Sequence, residues 1–530
     1  MTKMNDSDEV DISDEVDIDV GLREAAARYP EKLAILDSSR QLNWRDFDAR
    51  INRVANSLIK NGIKPNDRIA LLNRNCVEYM EVFLGGLRAG ACIVPLSTLA
   101  APETLARMIQ DSEARMLFVS PDYLDMITPY KETLTNLINS EAVGDGILIL
   151  RGADSKHHNL EDLITSASIE APDVVLSPSH GFNLIYSSGT TGNPKGIMQD
   201  RQYRAQETSD LLAAGWFGEN SRTLVSTPLY SNTTLFPVFP TLVSGGSLYI
   251  MEKFNTLGFL QLSQEHAINH AVLVPVQYER LLDEVAFGQY DLSAYQLKLS
   301  TSAPLHKHVK EDLLRRWPSG GLVEIYGMTE GGVTCLLQAD QRPDKLDTVG
   351  QPGLGCDIRI INDQGDILPQ GEAGEIIGWS SKMMTGYEKR PEATKEASWY
   401  DEDGNRYQRS GDIGWLDDEG FLHLKDRKKD MIISGGFNVY AVDLEKALLA
   451  HPDIIDVAVI GVPSKQWGET PVAYVEVRDH DSFDADATKD AVNDKLGKAQ
   501  RISEIRVIEQ LPRSPIGKIL KRELRQEEQA

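Results

Sequence analysis

The chain has little cysteine: four in 530 residues, at positions 76, 92, 335 and 356, and no Cys-x-x-Cys pair. A disulfide-stapled secreted scaffold is excluded, and reduced, mostly buried thiols in a cytoplasmic protein are expected. The ten histidines include no His-Glu-x-x-His and no Cys/His cluster, so a structural zinc site is not expected. No apolar run approaches the ~18 residues of a membrane span, which speaks against integral membrane association. The N-terminus lacks the basic-then-apolar pattern of a signal peptide. The C-terminal Glu-Glu-Gln-Ala is no peroxisomal or retention signal. Positive charge is also short, with 55 Lys and Arg against 80 Asp and Glu, a net of −25. Nucleic acids and anionic membranes select a basic footprint, so neither is an expected partner.

The composition is that of a globular chain, 41% hydrophobic and 25% charged, which is enough to build a large core. Residues 1–20 stand apart. They repeat Ser-Asp-Glu-Val-Asp-Ile at 7–12 and 13–18 and carry a net charge of −7. So short an acidic segment cannot bury enough apolar surface to offset its ordering entropy, and a solvated, disordered tail is expected. From residue 21, helical and strand-like segments alternate. Arg45–Asn61 and Tyr79–Ala89 have apolar residues at helical spacing. Arg68–Leu72, Cys92–Pro95, Ala114–Val119, Gly146–Leu150, Phe182–Tyr186, Leu224–Thr227 and His270–Val274 read as short buried strands. The alternation predicts a layered α/β architecture with largely parallel sheets. After about residue 345, glycines and short alternating segments become dense, which predicts a β-rich section, a small barrel in form. A boundary near 426 divides a large domain, 21–426, from a small α+β C-terminal domain, 427–530. The small domain is nearly neutral on an acidic body and so suited to approaching anionic ligands.

Several segments carry chemistry. Tyr186-Ser-Ser-Gly-Thr-Thr-Gly-Asn-Pro-Lys-Gly196 follows an apolar strand. Its glycines let the backbone approach an anion, its hydroxyls and N–H groups donate, and Lys195 adds charge, so it can hold a polyphosphate. It is not a Walker A loop, because Gly196 rather than Ser or Thr follows the lysine. Ile325-Tyr-Gly-Met-Thr-Glu-Gly-Gly332 offers an aromatic ring, a hydroxyl at Thr329 and a carboxylate at Glu330 that could bind magnesium. Taken alone, an aromatic-glycine turn is more often structural. In Arg409-Ser-Gly-Asp-Ile-Gly414, Asp412 could accept both hydroxyls of a ribose or could simply form a turn. Lys425–Tyr440 combines a basic head with Gly435-Gly436, as a hinge and ligand edge or as a solvated loop. Leu511-Pro-Arg-Ser-Pro-Ile-Gly-Lys518 places a lysine in a stiff loop near the terminus.

In this order, the segments resemble the adenylate-forming superfamily of acyl-CoA synthetases, luciferases and carrier-protein adenylation domains. The resemblance runs from about residue 21 to 525 and is greatest to acyl- and aryl-CoA ligases. It rests on the phosphate loop, Tyr326-Gly-Met-Thr-Glu330, Ser410-Gly-Asp412, Asp426–Tyr440, Gly461–Glu469 and the terminal Pro512–Lys518.

What the resemblance implies is an ATP-dependent carboxylate–CoA ligase. It would form an acyl adenylate and pyrophosphate, then an acyl-CoA thioester and AMP. Its partners would be a small carboxylic acid, aromatic or medium-chain, with ATP, Mg2+ and coenzyme A. The oligomeric state stays open, a homodimer included. Thr190, Thr191 and Lys195 would hold phosphates. Ser302, Ala303 and Pro304 would lie along the adenine and Tyr326 would stack on it. Thr329 would touch the α-phosphate and Glu330 would hold the metal. Asp412, assisted by Arg427, would bind the ribose. Lys518 would bridge carboxylate and α-phosphate. Lys429 would be the hinge of a mobile small domain whose rotation brings Gly435, Gly436 and Phe437 to the CoA arm. Tyr230, Ser231, Asn232, Ala303, Met328 and Val333 would line the acyl pocket, or serve only as packing. Two positions depart from the pattern: Ser231 stands where relatives often have histidine, and Asp200-Arg201 replaces a Thr-His pair. Loading of a carrier-protein phosphopantetheine and a non-catalytic nucleotide-binding protein are the alternatives.

Overall fold

The structure is a computed structural model describing residues 17–187, 194–427, 430–434, 437–464, 468–494, 496, 501–514 and 518–528. Two large sheets form the body of the molecule. In the nine-stranded sheet, Gly321–Gly327, Leu297–Ser300, His270–Leu273, Arg222–Val225, Ser247–Ile250 and Leu33–Leu36 run parallel. Antiparallel strands flank them: Gln41–Asn43 on one edge, Thr334–Gln338 and Gln351–Pro352 on the other. In the seven-stranded sheet, Ile147–Ile149, Ala114–Val119, Arg68–Leu72, Cys92–Pro95 and Gly181–Ser187 are parallel. Lys195–Asp200 then folds back antiparallel on Gly181–Ser187, and Gly386–Tyr387 adds to that edge.

Both faces of these sheets are covered, so the strands are apolar at successive positions. Ile69 and Leu71 face one core, and Ala70 and Leu72 face another. The first core is shared by the two sheets. Helices Trp44–Lys60, Val77–Arg88 and Asn232–Val243 lie between them, packed on Ile35, Leu248, Ile69 and Phe118. The sandwiched helix Val77–Arg88 is buried along its whole length. It fits because Gly85 lacks a Cβ, which would stand 2.5 Å from Val54 Cγ1. The outer faces are covered by Pro102–Asp111 on one sheet and by Thr256–Glu265, Pro275–Asp283 and Lys307–Arg316 on the other.

The glycine-rich stretch forms a five-stranded antiparallel sheet: Asp357–Ile361, Gly374–Trp379, Arg406–Leu416, Ser398–Tyr400 and Leu422–Arg427. A fourth sheet, of Ile432–Ser434, Phe437–Val439, Ile454–Ser464, Gly468–Val477 and Glu504–Val507, carries helices Ala441–Leu449 and Ala485–Asn493 on one face. Helix Lys521–Glu527 covers the other face. Lys425 bridges the last two sheets, its ammonium 5.5 Å from the Trp415 ring centroid and 4.7 Å from that of Tyr440. All four cysteines are free, and three are buried. Among the described residues no helix is long and apolar enough to cross a membrane.

Two expectations are corrected. The acidic tail does not extend to residue 20: helix Ile18–Arg28 begins inside it, capped by Asp17 accepting from Val20 N–H at 3.0 Å. Ile18 is buried, and Asp19 accepts from Arg88 Nε at 2.6 Å. Ile18 joins the first core and Asp19 pairs with both Arg88 and Arg23, which anchors the start of this helix. The strand expected at 224–227 is Arg222–Val225; the chain then leaves the sheet for the turn that Pro228 opens, its carbonyl accepting from Ser231 N–H at 3.0 Å.

Candidate active site

The hairpin Gly181–Ser187/Lys195–Asp200 pairs Ser187 with Lys195 and Tyr186 with Gly196. Residues 188–193 between its two strands, Thr190 and Thr191 among them, lie outside the described residues. Lys195 stands with its ammonium 4.9 Å over the ring of Tyr387. Tyr387 is delivered by the edge strand, opposite Ile197, and its hydroxyl donates to Glu330 Oε1 at 2.8 Å. Burial first, then the Glu330 charge, pushes the Tyr387 phenol far above its ordinary value, so near neutral pH it serves only as a hydrogen-bonding phenol.

Glu330 sits in the turn between Gly321–Gly327 and Thr334–Gln338. Gly331 follows with φ 74°, and a Cβ there would stand 2.0 Å from the Lys382 carbonyl. Glycine therefore lets the turn dock on the segment before Tyr387. Gly332 N–H donates to Lys382 O at 2.9 Å and Met384 N–H to Glu330 O at 2.7 Å. From the other side, Gln199 Nε2 donates to the Thr329 carbonyl at 2.7 Å. Thr329 is thus tied to the hairpin through Gln199, and Glu330 to the neighbouring edge strand through Tyr387.

Beside this turn, Tyr326 meets Asp412 of the strand Arg406–Leu416, hydroxyl to Oδ2, at 2.8 Å. Asp412 lies opposite Arg427 in the antiparallel register; the Arg427 side chain is outside the described set. Ser302 has φ 78°, and its Oγ lies 2.7 Å from Thr233 Oγ. Ala303 is half-buried and Pro304 exposed. The next residue is anchored: Leu305 N–H donates to Glu324 Oε1 at 2.7 Å. Glu324 forms a buried ion pair with Lys310, which also donates to the carbonyls of Leu346 and Thr348 at 2.9 and 3.2 Å. Burial pushes the Glu324 carboxyl up and Lys310 pulls it back. Removing either partner would strand the other charge in the core.

On the expected acid side, burial pushes the Tyr230 phenol above its ordinary value, with Ser97 and Thr98 opposing. Ser231 precedes helix Asn232–Val243 and makes no side-chain cap bond. Asn232 Oδ1 accepts from Arg204 at 2.7 Å. Met328 and Val333 pack against Ile358, Ile376 and Leu422 of the antiparallel sheet, and Val333 has no exposed surface. In the fourth-sheet region, Lys429, Gly435 and Gly436 lie outside the described residues. The Phe437 backbone pairs with Ser434, while its side chain is not described. Lys518 is half-buried in a loop closed by its N–H on Ser514 Oγ at 3.1 Å and by Ser514 N–H on its carbonyl at 2.7 Å.

Sequence reasoning missed Tyr387, Gln199, Arg204 and the Glu324–Lys310 pair. None lies in a motif with local chemistry. Gln199 lies on the strand Lys195–Asp200 and Arg204 five residues on, in the helix Arg201–Ala213, a spacing that carries no local signal. Among the described residues no group of three or more His, Cys, Asp or Glu could hold a metal unaided.

The Lys195 hairpin, the Thr329–Glu330 turn beside it and the Tyr326–Asp412 pair thus stand together. Residues 22–388 match the AMP-binding enzyme family and residues 443–518 its C-terminal domain; the chain belongs to that family. It is 31% identical to a feruloyl-CoA synthase of Amycolatopsis sp., over 94% of this chain and 96% of the other. It is also 31% identical to a long-chain-fatty-acid–CoA ligase of Mycobacterium tuberculosis, over 96% and 97%. The structure of ATP-bound MatB from Rhodopseudomonas palustris superposes with a TM-score of 0.85 at 28% identity, covering 96% of this chain and 98% of the other.

Proposed function

We propose that this enzyme, an AMP-forming acid–CoA ligase, activates an aromatic or medium-chain acid and divides the work among the residues gathered above. A carboxylate is a poor electrophile because its leaving group would be oxide. In the first step a carboxylate oxygen attacks the α-phosphorus of ATP, the bond to pyrophosphate breaks, and an acyl adenylate forms. In the second the CoA thiol loses its proton, its sulfur attacks the acyl carbon, and AMP leaves. The first step joins two anions, so catalysis is mainly neutralisation and positioning.

The observation that carries this reading is the Lys195–Tyr387–Glu330 cluster with Thr329 tied in through Gln199. Lys195, with Thr190 and Thr191, holds phosphates. Thr329 contacts the α-phosphate. Tyr326 stacks on the adenine, beside Ser302–Pro304, and Asp412 with Arg427 takes the ribose hydroxyls. Lys518 bridges the acid and the α-phosphate, then withdraws as the small domain turns about Lys429 and presents Gly435, Gly436 and Phe437 to the CoA arm. Glu330 fits Mg2+: Oε1 is held by Tyr387, and one carboxylate plus substrate phosphates is how that ion is commonly bound. When present, Mg2+ neutralises phosphate charge.

The names of the relatives support the acid class, since they include feruloyl, long-chain fatty and 4-coumarate acids. The test is acid-dependent ATP–pyrophosphate exchange over short, medium, long and aryl acids, followed by AMP release with and without CoA. Exchange with an aryl or medium-chain acid and CoA-dependent AMP are expected. Exchange without any response to CoA would overturn the ligase assignment in favour of carrier loading.

A further inference from the structure

The side chain of Arg204 has no exposed surface. Its guanidinium lies between rings, 5.8 Å from the Phe182 centroid, 5.4 Å from Tyr203 and 5.6 Å from Phe239. Nη1 pairs with Glu207. Nη2 reaches three amides: Gln199 Oε1, Asn232 Oδ1 at 2.7 Å and Asn183 Oδ1 at 3.2 Å. A guanidinium only donates. Each amide must therefore turn its oxygen to Arg204 and its NH2 away. The consequence is visible at two of them: Asn183 Nδ2 donates to Gln199 Oε1 at 2.8 Å, and Gln199 Nε2 donates to the Thr329 carbonyl at 2.7 Å. At the third, Asn232, the NH2 is left over and has no hydrogen-bond partner among the described residues. Asn232 is only half-buried. Its neighbour Thr233 touches Ser302, so this donor stands next to the adenine-side segment.

We propose that Arg204 is a positioning residue that fixes the Asn232 amide with its NH2 as the donor of the acid side, and that this donor selects acids carrying a hydrogen-bond acceptor on the acyl chain. The inference rests on the placement of the acid beside Tyr230–Asn232. An acid with a keto, hydroxyl or ether oxygen in reach satisfies the donor; a plain hydrocarbon acid strands it when the site closes. A site that must hydrogen-bond its substrate discriminates far better than an apolar pocket that merely fits it.

The experiment compares matched acids on the full-length protein: hexanoate with 3-, 4- and 5-oxohexanoate, and cinnamate with its ring-hydroxylated forms. The readout is the ratio of kcat/KM for AMP release with CoA. At least one oxygenated acid is expected to exceed its parent by about tenfold or more, chiefly through KM. Asn232→Leu is expected to bring that ratio to about one, whatever its absolute rate. Asn232→Asp keeps a partner for Arg204 and a folded core, and is expected to invert the preference in the oxohexanoate series, because a carboxylate repels a keto oxygen that has no hydrogen to donate. Arg204→Lys has no second nitrogen with which to keep Glu207 while it holds the amides. It is expected to weaken the ratio and, through Gln199 and Thr329, to lower kcat with the parent acid as well. A wild-type enzyme with no preference in either series, or an Asn232→Leu variant that keeps it, overturns the assignment while leaving the ligase reading intact. Absence of exchange with every acid overturns both.

Discussion

Tyr326 and Asp412 are joined by a 2.8 Å hydrogen bond, phenol to carboxylate, across two sheets that share no strand. Burial and Asp412 together hold the Tyr326 phenol far above its ordinary range, so it donates at any working pH. The bond sets the edge-on position of a ring proposed to stack on adenine and orients a carboxylate proposed to bind ribose. Tyr326→Phe keeps the ring and removes one bond to a charged acceptor, a loss of about 1.5–3 kcal/mol. The expected outcome is a KM for ATP raised roughly tenfold or more with kcat changed less. Steady-state kinetics at varied ATP checks it; an unchanged KM would remove Asp412 from the nucleotide site.

Tyr387 acts on Glu330 in the same way. A donor to a metal-binding carboxylate orients it, and losing such a partner typically costs 10–100-fold in metal affinity. Tyr387→Phe is therefore expected to raise the Mg2+ concentration for half-maximal adenylation by about tenfold. It should leave the ring under Lys195 in place. Titrating Mg2+ at saturating ATP tests this, and an equal Mg2+ requirement in both proteins contradicts the role given to Glu330.

The parallel strands were readable in sequence because both faces are buried: Arg68–Leu72, Cys92–Pro95 and Ala114–Val119 are apolar runs broken only by Arg68 and Arg115, with the bounds the structure gives them. The turn at Thr329–Glu330 was readable as chemistry because its residues are contiguous. What holds it was not. Tyr387 lies 57 positions from Glu330 and Gln199 lies 130 from Thr329, and sheet order rather than any local pattern brings them together. The same holds for Arg204, whose charge on a helix next to Asp200 and Arg201 reads as solvated until Phe182 and Phe239 close over it.

Lys518 separates the two half-reactions. Its cation is proposed to serve only while acid and α-phosphate react. Lys518→Ala is expected to lose adenylation by about 10^2–10^3-fold, the scale of a missing oxyanion donor, yet to make thioester from supplied acyl adenylate and CoA at close to the native rate. Equal loss in both half-reactions would show that Lys518 supports the fold of its loop and does not act in one step.

Glu279 makes the stability of the enzyme depend on pH in a direction opposite to most carboxylates. It lies on the helix Pro275–Asp283 and is faced by Asp283 from its own helix and by Asp456, Glu476 and Arg513 from the region of the fourth sheet. Burial, then Asp456, pushes its carboxyl up to about 7 from 4.5, with Arg513 opposing. The folded state therefore keeps a proton that the unfolded chain has released. Its contribution is fully present below the unfolded value and is lost as pH rises through the folded one. Arg513 cannot cancel this, because it is already committed to Asp456 and lies 3.7 Å from Glu476. Glu279→Gln removes the charge without changing the shape. At pH 8 the variant is expected to be more stable than the native protein by about 2–3 kcal/mol. The difference should shrink steadily towards pH 5, where the native residue is protonated too. Urea denaturation at pH 5, 6, 7 and 8 measures it. A gain that does not vary with pH would assign the effect to packing rather than to the proton.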